Sequence, residues 1–184
     1  MVMSNYFTPI KSRGFTLIEL IIVVAILGLL AASVLVAINP SEQFAKFRDG
    51  NRVSTVAQLG HALSSYAAAS SNGKYVAEGT GSDWITTLKT AGGIDNVPGA
   101  ILYSYNSVTG CGGQNDFCYD AMDATGKGPI IVYASLESKS QSAKCTVAGQ
   151  VAWTVYSTLA GRGGVVCSAD APVVSDTTAP VFAD

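Results

Sequence analysis

The chain of 184 residues carries 11 basic and 13 acidic side chains, a net charge of −2, and only 13% of its residues are charged. So sparse and balanced a charge excludes a nucleic-acid wrapper, which needs a dense Lys/Arg surface. Hydrophobic residues make up 48% and mean hydropathy is +0.33, an excess drawn largely from one run near the N-terminus; the length suits one modest domain plus an anchor.

Residues 1–14 form a short polar leader that ends in "KSRG". The run "FTLIELIIVVAILGLLAASVLVAI" follows, with no charge between Leu20 and Ile38. As a helix, Phe15 to Ile38 spans roughly 36 Å, more than the ~30 Å of bilayer hydrocarbon. A secretory signal peptide is the rival reading. Its apolar core runs only ~7–15 residues, it has no place for an acid such as Glu19, and no clean small-x-small cleavage site follows. Lys11 and Arg13 precede the span. By the positive-inside bias they hold the N-terminus in the cytoplasm, and everything after Pro40 is exported.

Asn39-Pro40 interrupts the run. Proline lacks an N–H, and its ring crowds the carbonyl of Val36. A helix kink at Pro40, with unwinding over 36–40, is expected. "SEQF" restarts helical chemistry, with Ser41 as a cap and Glu42 in the first turn. Residues 41–68 read as amphipathic. Phe44, Phe47, Val53, Val56, Leu59, Leu63 and Tyr66 recur mostly at three and four and form the buried face. Lys46, Arg48, Asp49, Arg52 and Gln58 fall largely elsewhere. Gly50 is the weak point. The picture is one long helix, its first half in lipid and its second half laid on a soluble domain.

"SSNGKY" at 70–75 ends the helix. "GSDWITTLKTAGG" at 81–93 predicts a short helix, capped by Ser82 or Asp83 and stopped by Gly92. Trp84, Ile85 and Leu88 face inward. Four stretches then read as strands: "AILYSYNS", "DFCYDAM", "PIIVYASLE" and "QVAWTVYST". Together they predict an antiparallel meander of three or four strands. Tyr103, Tyr105, Phe117, Tyr119 and Tyr133 alternate there as cross-strand packing, not as a base-stacking platform. The proline-rich end, "SADAPVVSDTTAPVFAD", reads as extended or poorly ordered.

Cys111, Cys118, Cys145 and Cys167 all lie on the exported side, where an even count reads as two disulfides. Three connectivities are possible. Closure of the smallest loops favours Cys111–Cys118 and Cys145–Cys167. Six and twenty-one residues separate these pairs, neither resembling a zinc knuckle. "DAMDATGKG" at 120–128 lacks the alternating oxygen ligands of a calcium loop and reads as a solvated turn. His61 is the only histidine and has no evident nucleophile or metal beside it. No phosphate-binding loop is present. No cofactor, metal or active site is expected.

"RGFTLIEL" before an uninterrupted apolar helix resembles the signature of type IV pilins and type II secretion pseudopilins. The resemblance covers residues 11–38 closely. It implies cleavage by a prepilin peptidase after Gly14, methylation of the new N-terminal Phe15, and an assembly role for Glu19; Gly28 corresponds to a glycine common in the helix. Many pilins have a proline where this chain has Val36, so the segment disturbed by Pro40 is displaced. Cleavage would place a positive α-amino group on Phe15, one helical turn from Glu19. An ionised carboxylate at membrane depth is costly unless paired. The α-amino group of an adjacent subunit can pair with it when helices stack with an axial offset. The alternative is that Glu19 sits at the interface and snorkels to water.

The expectation is an α+β, pilin-like fold. A long N-terminal helix, membrane half plus amphipathic half, packs on a C-terminal antiparallel sheet of three to four strands. The segments are leader 1–14, membrane or filament-core helix 15–38, amphipathic continuation 39–71, and exported globular domain 72–184. The resemblance implies a structural subunit of a type IV pilus filament, not an enzyme. Its partners would be copies of itself, the prepilin peptidase, and an assembly platform with its ATPase. The membrane would hold it before assembly, and the cell surface afterwards. The alternatives are a secretion pseudopilin, or a membrane-anchored adhesin or DNA-uptake receptor that never polymerises. Net acidity weakens direct nucleic-acid binding.

Overall fold

The computed structural model describes residues 14–76, 83–122, 126–175 and 177–183. Lys11, Arg13 and Ser82 lie outside them. The chain divides into two units, residues 1–40 and 41–184.

Helix α1 is Leu17–Ile38, and none of its residues is buried. It ends at Asn39, whose φ of 48° and ψ of 78° are left-handed. Asparagine tolerates this region better than most residues. Helix α2, Pro40–Ala69, begins at the next residue. Proline is well suited there, because the first N–H of a helix has no partner within it. Pro40 therefore starts a helix, and the break falls on Asn39. Val36 remains helical, and Ser41 is the second residue of α2 instead of its cap.

The second unit joins α2 to a four-stranded antiparallel sheet. Its other helices are α3 (Trp84–Thr90) and α4 (Lys139–Ser142). The strands are β1 (Cys118–Ala121), β2 (Ile130–Ser135), β3 (Val151–Ser157) and β4 (Arg162–Ser168), in that order across the sheet. Cys118 stands opposite Tyr133, Tyr133 opposite Val155, and Val155 opposite Gly164. The strand expected at 100–107 is a loop, which Asn106 and Ser107 turn with φ of 62° and 52°. The fourth strand is instead "RGGVVCS", where paired glycines weaken the strand pattern.

Both faces of the sheet are covered. On one, Tyr119, Ile130, Val132, Ala134 and Tyr156 pack with Val56, Leu59 and Leu63 of α2 and Ile85 and Leu88 of α3. On the other, Ile131, Tyr133, Trp153 and Val155 pack with Cys111, Val166, Val174 and Phe182. The period-two alternation along β2 thus serves two cores. Phe182 returns to the sheet, so the proline-rich end is extended but docked.

The face assigned to α2 holds only for its second half. Val56, Leu59 and Leu63 are buried, but Phe44 and Phe47 are 65% and 69% exposed. The first half instead buries Glu42, Ala45, Asp49 and Arg52. Gly60 faces the sheet directly: a Cβ there would stand 2.1 Å from the Tyr156 ring. Helix and strand approach so closely that only glycine fits.

Candidate assembly site

Gly14 and Phe15 lie just before α1, and Phe15 is 81% exposed. Thr16 is the N-cap, with extended backbone. Its hydroxyl accepts the Glu19 amide at 3.2 Å. Glu19 Oε2 in turn accepts the Thr16 amide at 3.1 Å and the Thr16 hydroxyl at 3.0 Å. This reciprocal capping box satisfies amide groups that a helix start leaves unpaired. Glu19 therefore has a local partner, which the sequence reading did not give it. The signal was present: Thr16 and Glu19 are spaced T-x-x-E.

Among the described residues, α1 is the one helix long and apolar enough to cross a membrane. Its apolar side chains are exposed throughout. At ~25 cal/mol per Å² of apolar surface, so long a stripe calls for lipid or an apolar partner. Nothing lies within 4 Å of a Cβ built at Gly28.

In the second unit, a buried ionic cluster fixes α2 to the end of β2. Glu137 Oε1 accepts from Arg48 Nε, and from Arg52 Nη2 at 2.9 Å. Its Oε2 accepts the amides of Ser104 and Tyr105 at 2.9 and 3.0 Å. Asp49 holds Arg52 at 2.7 Å and accepts the amides of Glu137 and Ser138. Glu42 accepts the amides of Lys139 and Ser140 at the start of α4. Arg52 also lies 4.6 Å from the Tyr103 ring centroid. Burial opposes ionisation of Glu137. The Arg48 hydrogen bond, the Ser104 amide and the two guanidinium charges outweigh it and hold its carboxyl below the usual range. Burial likewise opposes ionisation of Glu42, but the Lys139 and Ser140 amides, Lys46 and Tyr105 hold that carboxyl low as well. Sequence reasoning missed this cluster, because Glu137 lies 85 positions from Arg52.

Cys111 is bonded to Cys118, and Cys145 to Cys167. The first bridge closes a loop whose Gln114 accepts the amides of Ile85 and Thr86 at the start of α3. Asp83 makes no side-chain cap there, and Gly92, with φ of 77°, follows the helix. The second bridge ties the end of α4 to β4. His61 is exposed, its Nδ1 lying 3.3 Å from the Tyr156 hydroxyl. It lines an open groove of about 580 Å³ with Gln58, Ser65, Asp95 and Asn96. Tyr103 and Tyr105 lie in a loop, not on a strand. Asp120 accepts the Val174 amide at 2.7 Å; Asp123 lies outside the described residues. Among the described residues, no three His, Cys, Asp or Glu side chains gather as a metal site.

Residues 10–35 match the family model of the prokaryotic N-terminal methylation motif, the signature of type IV prepilins and pseudopilins. The motif implies processing by a prepilin peptidase and a pilus-type assembly system. Proteins of this kind are structural, not enzymatic. No curated protein and no solved structure matches the chain.

Proposed function

We propose that the chain is the precursor of a type IV pilus subunit. The prepilin peptidase cuts between Gly14 and Phe15 and methylates the new N-terminus. The apolar helix holds the protein in the membrane, with the sheet domain and both disulfides exported. It then leaves lipid for a filament core built from the same helix of other copies. The observation that carries this reading is the methylation motif on a helix that buries none of its own residues. Among the described residues α1 buries nothing of its own, so its surroundings come from lipid and then from neighbours.

Glu19 sets the register between neighbours. Cleavage puts a positive charge on Phe15, and stacking with an axial offset presents that charge to the Glu19 of an adjacent copy. The capping box keeps the carboxylate at the helix start until then. Two substitutions separate cap from charge. Glu19→Gln retains a capping-box side chain at this position but removes the charge, whereas Glu19→Ala removes both. Loss of one partner of a buried ion pair costs ~3–5 kcal/mol, repeated at every subunit. Both variants should insert and be cleaved normally, yet give far less sheared surface filament than wild type. Wild-type filament from Glu19→Gln alone would reduce Glu19 to a helix cap. Wild-type filament from both would remove it from assembly. Cleaved protein that never appears in sheared filaments, even unmutated, would favour the pseudopilin or the anchored receptor.

A further inference from the structure

The segment after β4 leaves the sheet and comes back to it. Ser168 ends the strand, and Phe182 and Ala183 return to the same strand. The Ala183 amide donates to the Val165 carbonyl at 2.7 Å, on the edge of β4 that β3 does not occupy. The Phe182 ring covers Gly164, where a Cβ would stand 2.4 Å from the ring. The Arg162 guanidinium lies over the same ring, 4.2 Å from its centroid. Lys144 Nζ donates to the Ala183 carbonyl at 3.4 Å. At the far side of the same face, the Val174 amide donates to Asp120 at 2.7 Å. The segment therefore straps the outer face of the sheet and completes its apolar cluster with Val174 and Phe182.

Two features mark the strap as an occupant of a site. Only one side of it docks: Val173 and Val181 are 78% and 83% exposed, whereas their neighbours Val174 and Phe182 pack inward. Pro172 and Pro180 also restrict their own φ to about −65°, which trims the ordering entropy lost on docking. The receiving surface has the parts of a strand-addition site: an edge that accepts a backbone hydrogen bond, and a slot for one aromatic side chain. We propose that the β4 edge and the Gly164 slot form a strand-acceptor site, filled in cis by Phe182 and Ala183 and able to take the same segment of a second copy in trans. The best-matched occupant is this segment itself, since its Phe182 and Ala183 define the fit. Such an exchange would link two copies through their sheet domains, by a surface separate from α1. It does not depend on the filament reading.

The test uses the full processed chain in detergent and a fluorescent peptide of residues 171–183. Phe182→Ala empties the slot and leaves it open. Gly164→Ala also expels the ring but fills the slot. The peptide should bind Phe182→Ala at least tenfold more tightly than wild type, and should bind Gly164→Ala no better than wild type. A peptide with Phe182→Ala should not bind any of the three, which sets aside partition into micelles. In both variants, residues 171–183 should become sensitive to proteinase K while the far-ultraviolet circular dichroism is kept. Equal peptide binding to all three chains, or no binding to a folded Phe182→Ala chain, overturns the proposal. Unfolding of both variants also overturns it, because the strap would then be a fixed part of the core.

Discussion

Helices α1 and α2 are separated by one residue and distribute their side chains in opposite ways. α1 is apolar on every side and buries nothing. The first half of α2 exposes two phenylalanines and buries two acids and an arginine. Hydropathy describes the medium α1 is made for, which is not water. It misdescribes α2, because a buried charge is tolerated when its partners arrive from elsewhere in the fold. Glu137, the Ser138 amide and the start of α4 are those partners. The same residues on an isolated helix would turn outward.

The largest expected effect comes from removing the centre of that cluster. Glu137→Ala takes from Arg48 its carboxylate partner and leaves the buried Arg52 with Asp49 alone. The second unit should lose ~3–5 kcal/mol in denaturant melts of the full chain. An unaltered midpoint would mean that the ionic cluster only decorates a helix held by its apolar half.

Acid probes the same cluster without mutation. Glu42 and Glu137 are held below their ordinary titration range in the folded chain. Their contribution is therefore fully present above the unfolded value of about 4.3 and is lost as pH falls through the lower folded values. Melting temperature should be flat from pH 7 to about 5 and fall below about 4. Glu137→Ala should flatten that decline. A decline of wild-type size in the variant would assign the acid sensitivity to other carboxylates.

The apolar half of α2 is tested at Gly60. Gly60→Ala places a methyl group inside the Tyr156 ring's space and should cost about 1–3 kcal/mol through overpacking. At the exposed Gly50, alanine meets nothing within 4 Å and should stabilise the helix by up to ~1 kcal/mol. Equal effects at the two glycines would show that α2 and β3 stand further apart than described.

The smallest stability effect belongs to the exposed face. Phe47→Ser should change the melting midpoint by no more than about 0.5 kcal/mol. A large loss would place Phe47 in a core and restore the face expected from periodicity.

The sequence by itself determined the features that depend on local chemistry. The 22 residues of α1, uncharged after Glu19, make a helix suited to lipid or an apolar partner, because no arrangement of one helix can bury its own circumference. The T-x-x-E spacing makes a capping box within one turn, Gly92 ends α3, and alternation in "IIVYAS" and "VAWTVYS" makes strands. The methylation motif is likewise contiguous. Tertiary structure alone decided which side of α2 faces the sheet. That choice turned on a glutamate far along the chain, whose carboxylate accepts from two guanidiniums and two amides at once. It also decided that "RGGVVCS" is a strand, since β3 supplies the pairing that two glycines do not favour locally. The docking of the proline-rich end was decided in the same way. Its two prolines restrict φ at two positions, but only the glycine slot on β4 gives Phe182 a place to bind.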